Sequence, residues 1–561
     1  MRPAAELPAP DRPTWLRIAG LAASATLAVS AYRVGALPTG AAEAEPLPDN
    51  WADWLGLTGW IAGLVALTVV WWRLGVRIRR RPASVPLGWL LRTGLLWAAP
   101  LLLAPPLGSR DAYAYACQGA LWLDGVDPYS VGVLPGGCVW SGTVPALWQE
   151  TPTPYGPLAL ALAGGAVALA RLAGTTIDGE LLVAIGLLRA AALAGVVLAV
   201  ACLPRLARSA GVDPVRATWL GLVSPLVGVH ALGGAHNDAL VLGLVVAALA
   251  LAAGRPSALG AGRAGLAAGA LLGLAVAIKV TAIVALPFAM LLTIVQPGSS
   301  RRTGHRDGGQ DDAPDGSDGG QADVPGGDVP GSSDGARRAD IPGTSGSGGA
   351  WRAGVARVLL DRRLVAVPAG AGLAFAGVTL ASGLDLGWIS ALSDTGRLVQ
   401  WTSVPTGLGM AAGYLLRLAG HPEAVDAAVA VARFLGLVAL AGTIAVLLVR
   451  AGRAVPAPDR TGARRRLVTL TGLAFTALAL LSPIFYPWYG LVAVAVLAAG
   501  LHTWRQVNRV AVAVTVLSFL VLPNGFGLAV ITKLPGALFD VLLVLVLAGL
   551  AYRRWRARPR G

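Results

Sequence analysis

The chain has 561 residues, of which 55% are hydrophobic and only 13% are charged, and its mean hydropathy is +0.65. About a quarter of the residues of a soluble domain are charged, so this composition excludes an ordinary soluble protein and indicates a polytopic membrane protein. The net charge of +15 would also suit a nucleic-acid-binding protein, but the distribution of the basic residues argues against that class.

The basic residues lie in short clusters beside apolar stretches, and such clusters mark the cytoplasmic ends of membrane helices. The clearest clusters are at 71–82, 204–216, 460–467 and 552–560. We therefore predict a chain in the cell (plasma) membrane, with both termini in the cytoplasm and no nucleic-acid partner.

Apolar segments long enough to cross the hydrocarbon core as helices recur along the chain. The first has no convincing small-residue cleavage site after it, so we predict a retained helix rather than a signal peptide. With the basic clusters kept inside, the chain is predicted to be an all-α bundle of about fourteen transmembrane helices. The predicted spans are 14–36, 52–72, 85–106, 181–203, 217–232, 237–253, 264–280, 282–296, 364–381, 424–450, 467–482, 487–502, 508–523 and 535–552.

Two further apolar stretches, 157–173 and 405–419, do not fit this pattern. Either one, counted as a span, would put a basic cluster on the wrong side of the membrane. Both are therefore predicted to be re-entrant or interfacial helices on the outer face.

The spans divide the chain into regions with different predicted roles. The stretch 297–350 is rich in Gly, Asp and Ser and has almost nothing to bury, so it is predicted to be disordered. The predicted organisation is 1–106, N-terminal transmembrane helices; 107–180, first large extracytoplasmic loop; 181–296, transmembrane helices; 297–350, disordered cytoplasmic loop; 351–381, one transmembrane helix; 382–423, second extracytoplasmic segment; and 424–561, C-terminal transmembrane helices and a basic tail.

The first candidate site follows the third predicted span, in the sequence SRDAYAYACQGALWLDGVDPYS. Charged groups at membrane depth are costly and are functional candidates. Asp111 is predicted to be a general base, its pKa set by the neighbouring Arg110 and by partial desolvation. Asp124 and Asp127 lie in the turn sequence DGVDPYS, for which a solvated linker is an equal alternative. Tyr113 belongs to the same segment.

The stretch SPLVGVHALGGAHNDALVLGLV joins two predicted spans through a tight outer turn. His236, Asn237 and Asp238 could bind a sugar hydroxyl, but Asn237 or Asp238 could instead cap the next helix. One histidine and one aspartate are too few ligands for a metal site, so no metal-binding residue is predicted, although a divalent cation is not excluded.

Lysine is rare in this chain: Lys279 and Lys533 stand against 43 arginines. Lys279 lies at the predicted outer end of a helix, where its ammonium could neutralise a phosphate. The alternative of equal weight is a lysine that is ion-paired or reaches the membrane surface.

Aromatic and polar residues also gather in other predicted outer segments. Tyr486 and Trp488, in SPIFYPWYGL, form either an interfacial belt or a sugar-stacking wall. Arg397 lies in the second outer segment with Trp388 and Trp401, a composition suited to gripping an acceptor glycan.

Cys117 and Cys138 share the first outer loop. A disulfide between them and a pair of free thiols both remain open from the sequence.

The motifs SRDAYAYACQGALWLDGVDPYS, TPTPYGPL, GGAHNDALVLGL, AIKVTAIVALPF, PTGLGMAAGYLLRLAG and SPIFYPWYGL occur in this order. As a set the chain resembles the actinobacterial polyprenyl-phosphomannose-dependent α-1,6-mannopyranosyltransferases of the C-type glycosyltransferase superfamily. The resemblance covers roughly 85–540 and fails at 297–350. It implies a C-type bundle of membrane helices with its active site on the extracytoplasmic face.

The resemblance also implies a donor, an acceptor and a reaction. The donor would be polyprenyl-phosphomannose and the acceptor a mannan glycolipid of the lipomannan and lipoarabinomannan core. Asp111 would deprotonate the acceptor 6-hydroxyl in one inverting displacement, and Arg110, Lys279 or another outer-face cation would stabilise the departing phosphate. The substrate-binding candidates are Arg110, Tyr113, Asp124, Asp127, Tyr155, His236, Asn237, Asp238, Lys279, Arg397, Tyr486 and Trp488.

Two other functions remain open from the sequence. One is a related transferase that uses another polyprenyl-phosphate sugar, glucose or arabinose. The other is a lipid-linked sugar flippase, which would call for charged residues along a mid-membrane path and two similar halves. A nucleotide-sugar donor is disfavoured because the chain has no glycine-rich phosphate loop.

Overall fold

The described part of the chain is helical. A computed structural model describes residues 12–38, 48–254, 260–295, 363–394, 396 and 398–556, and no β-strand occurs among them apart from one isolated bridge between Val521 and Gly527. These residues belong to one compact unit. The predicted all-α class is confirmed, whereas the predicted disordered loop 297–350 lies outside the described residues.

The N-terminal half carries α-helices up to Ile294, with a π-helical turn at Val227–Gly233 and a 3₁₀ turn at Val280–Ala285. The α-helices are α1 (Thr14–Val34), α2 (Trp51–Arg80), α3 (Leu87–Leu103), α4 (Asp111–Leu123), α5 (Ala146–Gln149), α6 (Pro157–Leu172), α7 (Ile177–Ser209), α8 (Pro214–Gly221), α9 (Asp238–Ala253), α10 (Gly260–Val276) and α11 (Leu286–Ile294).

The C-terminal half continues from residue 363, with a 3₁₀ turn at Pro487–Tyr489 that borders the candidate site. Its α-helices are α12 (Arg363–Ser382), α13 (Trp388–Asp394), α14 (Val404–Leu418), α15 (Val425–Ala454), α16 (Arg460–Leu481), α17 (Gly490–Gly500), α18 (Trp504–Ser518), α19 (Leu528–Ile531) and α20 (Lys533–Arg556).

Long apolar helices make this a membrane protein. Among the described residues, six helices are long and apolar enough to cross a bilayer, within α1, α2, α7, α12, α20 and a helix that contains α15. A seventh span results if the bent pair Val227–Gly233 and Asp238–Ala253 is counted as one. The count of about fourteen spans stays a prediction.

Three predicted spans do not coincide with single continuous α-helices. The span 487–502 begins with the 3₁₀ turn Pro487–Tyr489 and continues as α17. The span 217–232 is interrupted: α8 ends at Gly221 and the π-helical turn begins at Val227. Pro225 lies in the gap and cannot donate a backbone hydrogen bond to the preceding turn. The span 282–296 begins inside the 3₁₀ turn that precedes α11.

Polar side chains at the helix starts explain several of the observed boundaries. At each of these starts, the side chain of the residue just before the helix accepts a hydrogen bond from a free backbone N–H of the first turn. At α18 the bond is reciprocal, because Thr503 and Gln506 form a capping box. The other capping residues are Asn50 for α2, Thr176 for α7, Asp213 for α8, Ser403 for α14 and Asp459 for α16.

A sharp bend separates the π-helical turn from α9. The two segments meet at 109°, and Ala235 between them adopts φ +54°, a left-handed conformation uncommon for a residue with a side chain. α9 begins directly after the bend, at Asp238, and the bend places His236 beside the N-terminus of α4.

Close backbone contact holds α4 in place against α6. A Cβ added to Gly119 of α4 would lie 2.4 Å from the backbone of Ala163 in α6, so only glycine permits this approach.

The two helices α6 and α14 have 16 and 15 residues, or about 24 and 23 Å at 1.5 Å per residue. That length is short of a full crossing and agrees with their prediction as re-entrant or interfacial helices, which stays a prediction.

Candidate active site

A cavity of about 620 Å³ opens beside the N-terminus of α4. Its polar lining includes Asp111 and Tyr115 of α4, together with Asp238 and Lys279. Its apolar lining comes from helices α15, α16 and α17, at Leu437, Phe475, Leu478, Ala479 and Val492. The cavity therefore offers a cluster of charged groups and a long apolar surface to the same ligand.

Asp111 is the first residue of α4, where the helix dipole favours a negative charge. Its side chain is 19% exposed, and its Oδ2 atom lies 3.3 Å from Nδ1 of the fully buried His236. The Tyr115 hydroxyl donates to the same oxygen at 3.4 Å. The Asp111 backbone N–H donates to Ser109 Oγ at 3.0 Å. The carboxylate thus faces the cavity with its orientation fixed from behind.

The charge of Asp111 is maintained by its neighbours. Burial by itself would raise the pKa of Asp111, but the contacts with His236 and Ser109 and the charge of Lys279 outweigh it and hold the pKa below its ordinary value. Asp111 is therefore ionised at neutral pH, which is the state that a general base requires.

His236 is part of an aromatic stack that extends to the cavity wall. Its ring lies on Trp488 with 3.9 Å between centroids, and Trp488 lies on Tyr486 at 4.5 Å. Tyr486 and Trp488 line the cavity, and Trp488 is only 4% exposed. Trp488 is therefore a buried residue beside the cavity, and the choice between an interfacial belt and a sugar-stacking wall stays a prediction.

Lys279 and Asp238 form a buried ion pair on the cavity wall. Lys279 Nζ lies 2.9 Å from both carboxylate oxygens of Asp238 and 3.9 Å from the ring centroid of Tyr489. The predicted alternative of a paired lysine is the observed state. The ammonium carries three N–H donors, so one remains beyond the two that bind Asp238.

Tyr155, another predicted site residue, reaches the cavity from the loop before α6. Its hydroxyl lies 3.4 Å from that of Tyr115, and the two rings meet edge to face at 5.1 Å. Burial and then the negative charge of Asp111 raise the pKa of Tyr155 well above its ordinary value. Tyr155 is therefore a neutral hydroxyl donor next to the carboxylate.

Two predicted residues next to Asp111 point away from the cavity. Arg110 is buried and donates to the carbonyl oxygen of Leu37 at 2.7 Å, and burial lowers its pKa. The Tyr113 hydroxyl donates to the Ala36 carbonyl oxygen at 2.6 Å. Both tie α4 to the chain that leaves α1, and neither lines the cavity.

The other predicted residues of this group also lie outside the cavity lining. Asp124 accepts two hydrogen bonds from Arg171, at 2.7 and 3.0 Å, on the exposed surface. Asp127 accepts from the backbone N–H of Tyr129 within its turn. Asn237 precedes α9, but its side chain makes no capping bond, so the predicted cap is wrong there. Arg397 lies outside the described residues.

Some cavity residues were not among those predicted from the sequence. Tyr115, Gln118 and Tyr489 line it beside predicted neighbours. Arg433 of α15 also lines it, and its Nε donates to Thr406 Oγ1 at 3.1 Å. A charged residue inside an apolar span was the available signal for Arg433.

A disulfide joins Cys117 of α4 to Cys138 of the following loop. Further along that loop, Gln149 Nε2 donates to the carbonyl oxygens of Ser141 and Val144. The loop then supplies Trp148 and Thr151 to the cavity. The open question of pairing between the two cysteines is thereby answered, and the loop is anchored to the helix that carries Asp111.

The described residues hold no group of three or more His, Cys, Asp or Glu side chains that could ligate a metal ion.

Comparison with known proteins gives a single family. Residues 17–295 match the family described as α-(1→6)-mannopyranosyltransferase, N-terminal domain, and residues 405–550 match the MptB C-terminal domain. No solved structure matches the chain.

Curated relatives match over nearly the whole chain. An α-(1→6)-mannopyranosyltransferase of Mycobacterium tuberculosis is 31% identical over 97% of this chain and 88% of its own length. A probable α-(1→6)-mannopyranosyltransferase of Mycolicibacterium smegmatis is 30% identical over 97% and 89%. The α-(1→6)-mannopyranosyltransferase B of Corynebacterium glutamicum is 27% identical over 96% and 82%.

Proposed function

Since the chain belongs to the α-(1→6)-mannopyranosyltransferase family of hexosyltransferases, we propose that it transfers mannose from polyprenyl-phosphomannose to the 6-hydroxyl of an α-1,6-mannan acceptor. The transfer would proceed with inversion and extend the core of lipomannan or lipoarabinomannan.

The main support for the proposal is the cavity of about 620 Å³ beside α4, here called the Asp111 cavity, which has both a charged part and an apolar part. Asp111 and the Lys279–Asp238 pair line it together with apolar residues of α15, α16 and α17. A nucleotide sugar has no long apolar group to contact such a surface. A sugar phosphate on a polyprenyl chain fits both the charged part and the apolar part of the cavity. The cavity therefore favours the lipid-linked donor.

Asp111 acts as the general base in this proposal. As the acceptor O6 attacks the anomeric carbon, the O6–C1 bond forms, the bond from C1 to the phosphate oxygen breaks, and the O6 proton passes to the Asp111 carboxylate. The leaving polyprenyl phosphate takes the electron pair of the broken bond. A single displacement on a β-linked donor gives the α linkage.

His236 is a positioning residue for this base. It lies in contact with Asp111 and is held by stacking on Trp488. Because the contact favours the ionised carboxylate, His236 keeps Asp111 ready to accept a proton near neutral pH.

Lys279 and Arg433 are the cations that line the cavity and could stabilise the departing phosphate. Lys279 keeps one donor beyond those used by Asp238. Arg433 donates to Thr406 and to the carbonyl oxygens of Gly396 and Leu398, which leaves two of its five N–H groups for a ligand. Arg110 takes no part because it is bound elsewhere.

An extracytoplasmic site in the plasma membrane is part of the proposal. Most of the polar residues around the cavity come from segments, or from ends of spans, that the charge distribution assigns to the outer side. A disulfide next to the site supports this orientation, because disulfides persist in oxidising compartments rather than in the cytosol.

The test is a transfer assay with membranes that contain the full chain, radiolabelled polyprenyl-phosphomannose and a synthetic α-1,6-mannoside acceptor. The expected product is one mannose longer and has a new α-1,6 linkage. Membranes with Asp111→Asn are the control for background activity. Transfer from a glucosyl or arabinosyl polyprenyl phosphate, with none from the mannosyl donor, would overturn the assignment of the donor.

A further inference from the structure

A second cavity, of about 610 Å³, is lined by arginines. Arg450 and Arg453 lie near the end of α15, and Arg465 and Arg466 lie near the start of α16. The stretches of these two helices that line the Asp111 cavity are roughly a dozen residues away, which is about 20 Å along a helix. The arginine cavity therefore lies toward the other ends of these two helices, which the charge distribution assigns to the cytoplasmic side.

The lining of this cavity is rich in hydrogen-bond donors. His502, Gln506 and Thr469 complete its polar wall, and no carboxylate side chain lines it. Within the described ranges, none of the four arginines forms an ion pair. Four like charges around one space repel each other, so an anion in the cavity would be bound favourably.

The wall of the arginine cavity is held in a fixed shape. Arg216 donates to the carbonyl oxygens of His502 and Leu501, at 3.0 and 2.9 Å. Gln506 is fixed by its capping box with Thr503. Arg216 and this turn are supports of the site, and the four lining arginines are free to face a ligand.

A shallow apolar groove of about 430 Å³ leads along α15 to the arginine cavity. The residues that line the groove are spaced three or four apart and so share one face of the helix. A Cβ added at Gly442 would meet no atom within 4 Å, so the space beside this part of the helix is open. The groove is lined by Ala439, Gly442, Thr443, Val446, Leu447 and Arg450.

Arg450 lines both spaces. We propose that the two form one lipid site, in which an anionic phospholipid places its phosphate among the four arginines and lays an acyl chain along the groove of α15. Arginine binds phosphate through its planar fork of N–H donors, and a phosphate with an attached acyl chain fits both spaces at once. Basic residues beside membrane spans are common, but here four of them line one cavity, and one of the four also lines an apolar groove, as a phosphate with an acyl chain requires.

The site is tested with the full chain in neutral detergent, by titration with phosphatidylglycerol and detection of bound lipid by native mass spectrometry. Phosphatidylglycerol is expected to bind the wild type at least about tenfold more tightly than phosphatidylcholine. The double variant Arg453→Gln/Arg465→Gln is expected to lose about tenfold or more of that affinity, because charge-assisted phosphate contacts disappear. Arg460→Gln is the matched control, since Arg460 lies on the same helix but does not line the cavity, and it should bind as the wild type does.

Further variants test the proposal if the double variant does not fold, and they test the groove separately from the arginines. The single variants Arg453→Gln and Arg465→Gln replace the double variant if it does not fold. Gly442→Leu fills the groove without a change of charge and should weaken phosphatidylglycerol binding.

Equal phosphatidylglycerol binding by the wild type and the arginine variants would overturn the site. If glycerol 3-phosphate bound as tightly as phosphatidylglycerol and Gly442→Leu had no effect, a phospholipid would not be the ligand. The site would then bind a free phosphate compound.

Discussion

The two ends of α4 carry carboxylates in opposite surroundings. Asp111, at the start, is mostly buried, contacts His236 and lines the Asp111 cavity. Asp124, just after the end, is half-exposed and is bound by Arg171 on the surface. One short helix thus holds a carboxylate that faces a cavity and is followed by another that is held by a surface ion pair.

The difference shows that the surroundings of a helix end decide the role of its carboxylate. The start of α4 meets the bend before α9 and the aromatic stack, which lie inside the bundle. The end of α4 meets α6 at the protein surface, where water screens the charge. Substitutions at the two ends should therefore have very different effects.

The largest effect is expected for Asp111→Asn. Asparagine keeps the shape of the side chain but cannot accept the O6 proton as a base, so kcat for mannose transfer should fall by about 10²- to 10⁴-fold. Steady-state transfer by the purified protein measures this effect. A kcat near that of the wild type would exclude Asp111 as the base.

A large loss of stability is expected for Lys279→Gln. The substitution leaves the buried Asp238 carboxylate without its cation, and the free energy of unfolding should fall by about 3–5 kcal/mol. Thermal unfolding in detergent measures the change. The double variant Lys279→Gln/Asp238→Asn is the control and should recover much of the Tm, because it removes both charges.

A smaller effect, on pH dependence, is expected for His236→Gln. The contact with His236 lowers the pKa of Asp111, so its removal should raise that pKa. Activity is present above the pKa of the base and is lost as the pH falls through it. The acid limb of the kcat–pH profile should therefore move to higher pH, and an unmoved acid limb with reduced stability would assign His236 a purely structural role.

The smallest effect is expected for Asp124→Asn. Surface ion pairs such as the one with Arg171 stabilise proteins by under about 1 kcal/mol. Both kcat and Tm should stay close to the wild-type values, in contrast to the start of the helix. A loss of transfer as large as that of Asp111→Asn would mean that the cavity does not mark the active site.

The helices and several site residues could be predicted because the chain is so apolar. Hydropathy and basic clusters predicted α1 and α20 to within about two residues of their ends, apart from the longer C-terminal turn of α20. Polar residues are rare beside the spans, so each one was a candidate, and several of these candidates line one cavity. Asp111, Asp238 and Lys279 were found in this way.

The remaining features depend on contacts between distant segments. The bend at Ala235, the interruption after α8 and the stacking of His236 on Trp488 arise from packing that periodicity does not encode. Arg110 adjoins Asp111 in sequence but turns toward Leu37, which lies in another segment. Proximity in sequence therefore suggested a role for Arg110 that its contacts do not support. Arg433 lies inside an apolar span and far from the motifs, so the sequence did not assign it to the site.

The most direct test of the account measures binding and chemistry on one protein, Asp111→Asn. Its Kd for polyprenyl-phosphomannose and its single-turnover rate of transfer would be compared with those of the wild type. The account predicts a Kd within a few-fold of the wild-type value and a rate lower by about 10²-fold or more. A rate near the wild-type value, at saturating donor, would contradict the assignment of Asp111 as the base.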